Sequence, residues 1–93
     1  MKIKESHLKF GGEVDFGYWG ERHNRFRISL RWNKKKQQYE VYKHYFRTKT
    51  DEVVFSGKEL GAAVKNACDI ANGYAEKVYG EPIFKDVAEA EER

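Results

Sequence analysis

The chain has one cysteine, Cys68, and one proline, Pro82, in 93 residues. A lone cysteine excludes an internal disulfide, and a small exported domain with a modest core normally needs several, so a reducing, cytoplasmic setting is expected. No run of eighteen apolar residues occurs, and the stretch from Met1 through Lys2 and Lys4 to Lys9 lacks the apolar segment of a signal peptide. Neither export nor a membrane partner is therefore expected. Internal repeats and low-complexity segments are also missing, which excludes repeat architectures.

Motifs that bind metals or phosphate are scarce as well. His7, His23, His44 and Cys68 are the soft-metal ligand types, and no two have the short spacing of a structural zinc site. Gly57 and Gly61 flank a helix start without the Lys–Ser/Thr element of a phosphate-binding loop. Asp15, Glu21 and Glu40 are carboxylates that no recognisable motif pairs for acid–base work, and a Cys68–His44 nucleophile is less economical than a structural thiol. The expectation is a non-catalytic domain with no cofactor and no metal.

What the chain does have is charge, unevenly placed. Up to Thr50 it carries 13 Lys or Arg against 5 acids, a balance of +8; the remainder carries 5 against 10, or −5. Between Arg22 and Lys49 ten basic residues meet one acid, Glu40, and are interleaved with Phe26, Trp32, Tyr39, Tyr42, Tyr45 and Phe46. Such a basic, aromatic stretch fits an anionic partner, whereas a sheet with one wet face carries charge for solubility alone.

Hydrophobic periodicity supplies the fold. From Asn24 to Trp32, Phe26, Ile28, Leu30 and Trp32 alternate with Arg25, Arg27, Ser29 and Arg31, which predicts a strand with one apolar and one basic face. Asn33 to Lys36 break the pattern before a second β-rich run, Gln37 to Arg47. A turn centred on Lys34 and Lys35 would set Leu30 opposite Tyr39, Ile28 opposite Val41, Arg27 opposite Tyr42 and Arg25 opposite His44, with Val41 inside and Glu40 outside.

Weaker strands are expected at residues 2–10 and 13–19, joined by a turn at Gly11 and Gly12, and at Glu52 to Phe55. Tyr18 and Trp19, between Gly17 and Gly20, are placed at a strand end or in a loop folding back on the core. Ser56 and Glu59 match a helix capping box, and Leu60, Val64, Ala67, Ala71, Tyr74 and Val78 recur at helical spacing until Gly80 and Pro82 stop the helix. The predicted class is α+β: an antiparallel sheet of about four to five strands on one long C-terminal amphipathic helix. Residues 1–82 form one domain, and residues 83–93 a short acidic helical tail, with Ile83, Phe84 and Val87 touching the body. Glu89, Glu91 and Glu92 either balance the basic half or fold over it and compete with an anionic partner.

The order of a curved antiparallel sheet followed by one long helix, from Asn24 to Tyr79, resembles small nucleic-acid-binding folds of the Pur-alpha and Whirly types. The resemblance lies in arrangement and carries no motif residue across. It implies a binding role, and the charge pattern independently suggests nucleic acid, single-stranded DNA or RNA in preference to a duplex. The expected contact residues are Arg25, Arg27 and Arg31 on the strand, Lys34, Lys35 and Lys36 on the turn, and Tyr42 and His44 on the neighbouring strand. The alternative is a protein-interaction module that offers this face to an acidic protein partner or uses Tyr18 and Trp19 as anchors; a homodimer through a sheet edge fits either.

Overall fold

A computed structural model describes residues 3–84 and residues 90–91 of the chain. Its element order is β1 (Ile3–Lys4), α1 (Glu5–Lys9), β2 (Val14–Trp19), β3 (Phe26–Asn33), β4 (Gln38–Tyr45), β5 (Thr50–Gly57), α2 (Leu60–Tyr79) and β6 (Ala90–Glu91). Strands β2 to β5 make an antiparallel sheet in sequence order, with β3 and β4 in the middle, and α2 packs across one face. The α+β class and the long C-terminal helix are as the periodicity predicts.

Alternation in β3 and β4 explains why those strands are central. Phe26, Ile28 and Leu30 and their neighbours Tyr39 and Val41 are buried on the helix side, where Ala63, Val64, Ala67, Ala71 and Ala75 complete the core with Phe16 and Trp19. Small alanines let α2 lie close to the sheet, and Leu60 anchors its first turn. Lys43 also faces the helix; its Nζ donates to the Tyr74 hydroxyl at 2.8 Å and sits 4.9 Å from the Phe26 ring centre. Cys68 is buried on α2, and that burial, with Asp69 beside it, pushes its thiol pKa up.

The β3–β4 register differs from the expected one by two residues. Leu30 pairs with Val41, Ile28 with Lys43, Arg27 with His44 and Arg31 with Glu40. The turn is longer than expected because Asn33 Oδ1 accepts the Lys36 N–H at 3.1 Å and Gln37 takes a left-handed conformation, φ 52°. A two-residue slip preserves side-chain parity, so Val41 is still inside. Arg25 lies outside β3, however, and Glu40 is on the outer face yet only 3% exposed.

Four local expectations are corrected. Residues 5–9 form a short helix instead of a strand, with Leu8 buried and Lys9 paired to Glu5 one turn earlier at 2.5 Å. Gly11 and Gly12 close that helix: Gly12 N–H donates to His7 O and Gly11 N–H to Leu8 O, the 6→1 and 5→2 bonds of a glycine-terminated helix, with Gly11 at φ 95°. The capping box does not form, because Ser56 stays in β5 opposite Glu40 and Glu59 precedes the helix with no side-chain cap. Val78, expected on the buried stripe, is 64% exposed.

The chain end departs from the expected acidic helix where it is described. Ala90–Glu91 is a strand paired parallel with Ile3–Lys4, while 85–89 and 92–93, including Val87, Glu89 and Glu92, lie outside the described residues. Ahead of it, Asn72 Oδ1 accepts the backbone N–H groups of Ile83 and Phe84 at 3.1 and 3.0 Å, which sets the Phe84 ring against Phe16. Ile83 itself is largely solvent-facing. Both edge strands of the main sheet are bulged, β2 between Asp15 and Tyr18 and β5 opposite Val41 and Tyr42. Among the described residues, no helix is long and apolar enough to cross a membrane.

Candidate nucleic-acid interface

The face of the sheet turned away from α2 carries Arg27, Ser29, Arg31 and Asn33 on β3 and Gln38, Glu40, Tyr42 and His44 on β4. Strand alternation brings these side chains together, and a hydrogen-bonded network then consumes them. Arg27 donates through Nε to Ser29 Oγ at 2.8 Å and through its guanidinium to the Tyr42 hydroxyl at 3.2 Å. Ser29 in turn donates to Asp15 at 2.7 Å, and Tyr42 donates to Glu13. Asp15 also stands 3.7 Å from Arg27 Nε.

Arg31 is tied equally firmly. Its Nε donates to Glu40 at 3.1 Å, a second guanidinium nitrogen donates to Asp51 at 3.1 Å, and the guanidinium lies 4.1 Å over the Tyr42 ring. Glu40 also accepts from Asn33 at 3.2 Å and Gln38 at 3.4 Å. Burial opposes ionisation of this carboxyl, but the bonds from Asn33, Arg31 and Gln38 outweigh it and hold the pKa below the ordinary 4.5. His44 bonds Asp51 at 2.7 Å, and that bond, helped by Arg31, holds the Asp51 pKa below its ordinary 3.8. Burial and the bond to Glu13 push the Tyr42 hydroxyl up.

The expected contact residues therefore fall into three places. Arg27, Arg31, Tyr42 and His44 share the outer face, where Tyr42 is only 2% exposed beneath Arg31. Lys34, Lys35 and Lys36 are exposed on the β3–β4 turn at one end of the sheet. Arg25 is exposed at the opposite end, in the loop between β2 and β3.

Arg25 has company there. Antiparallel pairing puts the β2–β3 loop, residues 20–25, beside the β4–β5 turn, residues 46–49, and Phe46 N–H donates to Arg25 O at 3.2 Å. This rim holds Arg22, Arg25, Arg47 and Lys49, all exposed, against one acid, Glu21. Among the described residues none of the four cations makes an ion pair. Gly20 turns the loop at φ 89°, where a Cβ would meet the Asn24 carbonyl oxygen at 2.4 Å, and Asn24 N–H closes the turn onto Glu21 O at 2.6 Å. The loop borders an open surface cleft of about 490 Å³ lined by residues 20–25.

Two aromatic rings adjoin these cations. Tyr18, at the end of β2, is 55% exposed and Phe46 41% exposed, with ring centres 5.7 Å apart. Phe46 also stands edge-on to His44 at 5.3 Å. Trp19, placed at a strand end as expected, is buried, which removes it as the anchor that the protein-partner alternative would use; its indole N–H donates to Phe16 O at 2.8 Å. Arg22, Arg47, Lys49 and Phe46 were legible only as members of the basic, aromatic stretch, and Tyr18 only as an anchor for a protein partner. Their convergence needs the knowledge that β2–β3 and β4–β5 turn at the same end of the sheet.

Among the described residues, no three His, Cys, Asp or Glu side chains gather as a metal ion would require. Comparison of the chain with protein-family models, with curated proteins and with solved structures finds no match.

Proposed function

We propose that this chain is a non-catalytic nucleic-acid-binding module that holds the phosphate backbone at the rim formed by Arg22, Arg25, Arg47 and Lys49. The observation that carries this reading is the contrast in pairing: the sheet arginines already have carboxylate partners, whereas these four cations have none among the described residues. An unpaired guanidinium or ammonium gains most from a phosphate, because binding releases condensed counterions without first breaking an internal ion pair. Arginine supplies three of the four, and its planar fork matches two phosphate oxygens at once.

The experiment is a fluorescence anisotropy titration with labelled DNA and RNA across a salt series. Four phosphate contacts predict a log–log salt slope of about −3 on single strands, at roughly 0.7 per contact. The double reversal Arg25→Glu with Arg47→Glu is expected to weaken binding at least about thirtyfold, a loss of about 2 kcal/mol. Absence of binding by the parent at low salt, or equal binding by parent and double variant, would overturn the proposal and direct attention to an acidic protein partner.

A further inference from the structure

The rim carries two features that a purely electrostatic site has no use for: a pair of exposed aromatic rings and a cleft beside them. We infer that the site is built for a single strand, with a base stacked on the Tyr18–Phe46 pair and an adjoining phosphate in the cleft of residues 20–25. This inference rests on the nucleic-acid reading and narrows it to one class of substrate.

Tyr18 and Phe46 belong to different hairpins, yet the backbone of each is held: Tyr18 pairs with Arg27 on β3, and the Phe46 N–H, in the β4–β5 turn, donates to Arg25 O. Their ring planes meet at 41°, and the rings already touch each other, so a base has to stack on the exposed side of the pair. His44 supports Phe46 edge-on and is itself held by Asp51, which leaves little ring motion to lose on binding. The bond from Phe46 N–H to Arg25 O ties the ring to the loop that forms the cleft, whose lining sets Arg22, Arg25 and His23 against one carboxylate, Glu21. A duplex keeps its bases stacked on one another and presents only its phosphates to such a surface, whereas a single strand offers base faces and phosphates together. The same two features point away from the opposite end of the sheet, where Lys34, Lys35 and Lys36 have exposed charge but no exposed ring among their turn residues.

The test compares labelled single-stranded oligothymidylate of about ten nucleotides, within the span one small domain covers, with a hairpin duplex of the same net charge. Single-strand binding is expected to be the tighter. Tyr18→Ala and Phe46→Ala are each expected to lower it about tenfold, at about 1.4 kcal/mol per decade, while duplex affinity changes less than about twofold. Phe46→Trp, which enlarges the ring, should hold or improve single-strand binding, and circular dichroism of all variants should match the parent. The inference fails if the Tyr18→Ala, Phe46→Ala double variant binds the single strand like the parent, or if both nucleic acids lose affinity equally. Those outcomes leave the electrostatic site standing, whereas an Arg25→Glu, Arg47→Glu variant that still binds everything removes the site itself.

Discussion

The middle of the outer sheet face and its rim are built from the same residue types with opposite results. In the middle, Arg27 and Arg31 are surrounded by Asp15, Glu40 and Asp51, and Tyr42 bridges Arg27 to Glu13. At the rim, Arg22, Arg25, Arg47 and Lys49 meet only Glu21 in the two connecting segments. An arginine beside an aromatic ring on a strand therefore does not by itself mark a binding surface. Where cross-strand neighbours supply carboxylates, the guanidinium is a structural cross-link between strands; where they do not, its charge is available to a partner.

Removing one arginine from each region separates the two most decisively. Arg31→Leu leaves the Glu40 carboxylate, 3% exposed, with only the neutral donors Asn33 and Gln38. Because Arg31 itself is 31% exposed, the cost should lie at the lower end for a broken buried pair, about 3 kcal/mol in urea unfolding. Arg47→Leu should change stability by no more than about 0.5 kcal/mol, as for an exposed, unpaired side chain. Equal costs would mean that the two regions do not differ in the way their ion pairs indicate.

Arg27→Leu sharpens the same contrast at a smaller scale. It removes the donor to Ser29 and Tyr42, while Asp15 keeps Ser29 and Glu13 keeps Tyr42, so a loss of about 1 to 2 kcal/mol is expected. Nucleic-acid affinity should stay within about threefold of the parent, because the phosphate contacts are proposed at the rim. A large loss of affinity with an unchanged fold would return the binding surface to the middle of the sheet. Lys34→Gln with Lys36→Gln tests the far end and should weaken binding less than about tenfold, through long-range charge alone.

Much of the fold follows from periodicity that is local in the chain. Alternation in β3 and β4 and the 3.6-residue repeat of α2 concern neighbours, and both are visible in the residues. The parts that escaped depend on choices between near-equal local options. Gly11 and Gly12 suit either a hairpin turn or a helix end, and the turn after Asn33 holds two or four residues with the same alternation on each side. Ser56 can cap a helix or extend β5, and pairing with Glu40 decides it. For the site, the excess of cations from Arg22 to Lys49 was legible, but its division into tied and untied groups was not. That division depends on Glu13, Asp15 and Asp51, which stand outside the stretch and reach it only through the strand pairing of β2 and β5.

The smallest expected effect concerns acid, and it separates the regions by titration. Glu40 and Asp51 have folded-state pKa values below their ordinary 4.5 and 3.8, so both carboxylates favour the folded state once ionised. That contribution is complete above the ordinary values and is lost as pH falls through them towards the lower folded-state values, where protonation removes the charge that holds Arg31. The urea midpoint of the parent should therefore decline between pH 5 and pH 3, a window set by those two ordinary values. In Glu40→Gln one of the two carboxylates that hold Arg31 is gone, so the decline should be shallower. The difference between the two curves should be about 1 kcal/mol or less, since the Arg31 guanidinium that holds Glu40 is 31% exposed and the pair is partly screened. In Arg47→Leu the decline should follow the parent's, because no carboxylate is paired with that side chain among the described residues. If Glu40→Gln declines as steeply as the parent, the Glu40 carboxylate does not carry the acid sensitivity of the network, and the contrast between a tied middle and an untied rim must rest on Asp15 and Asp51 alone.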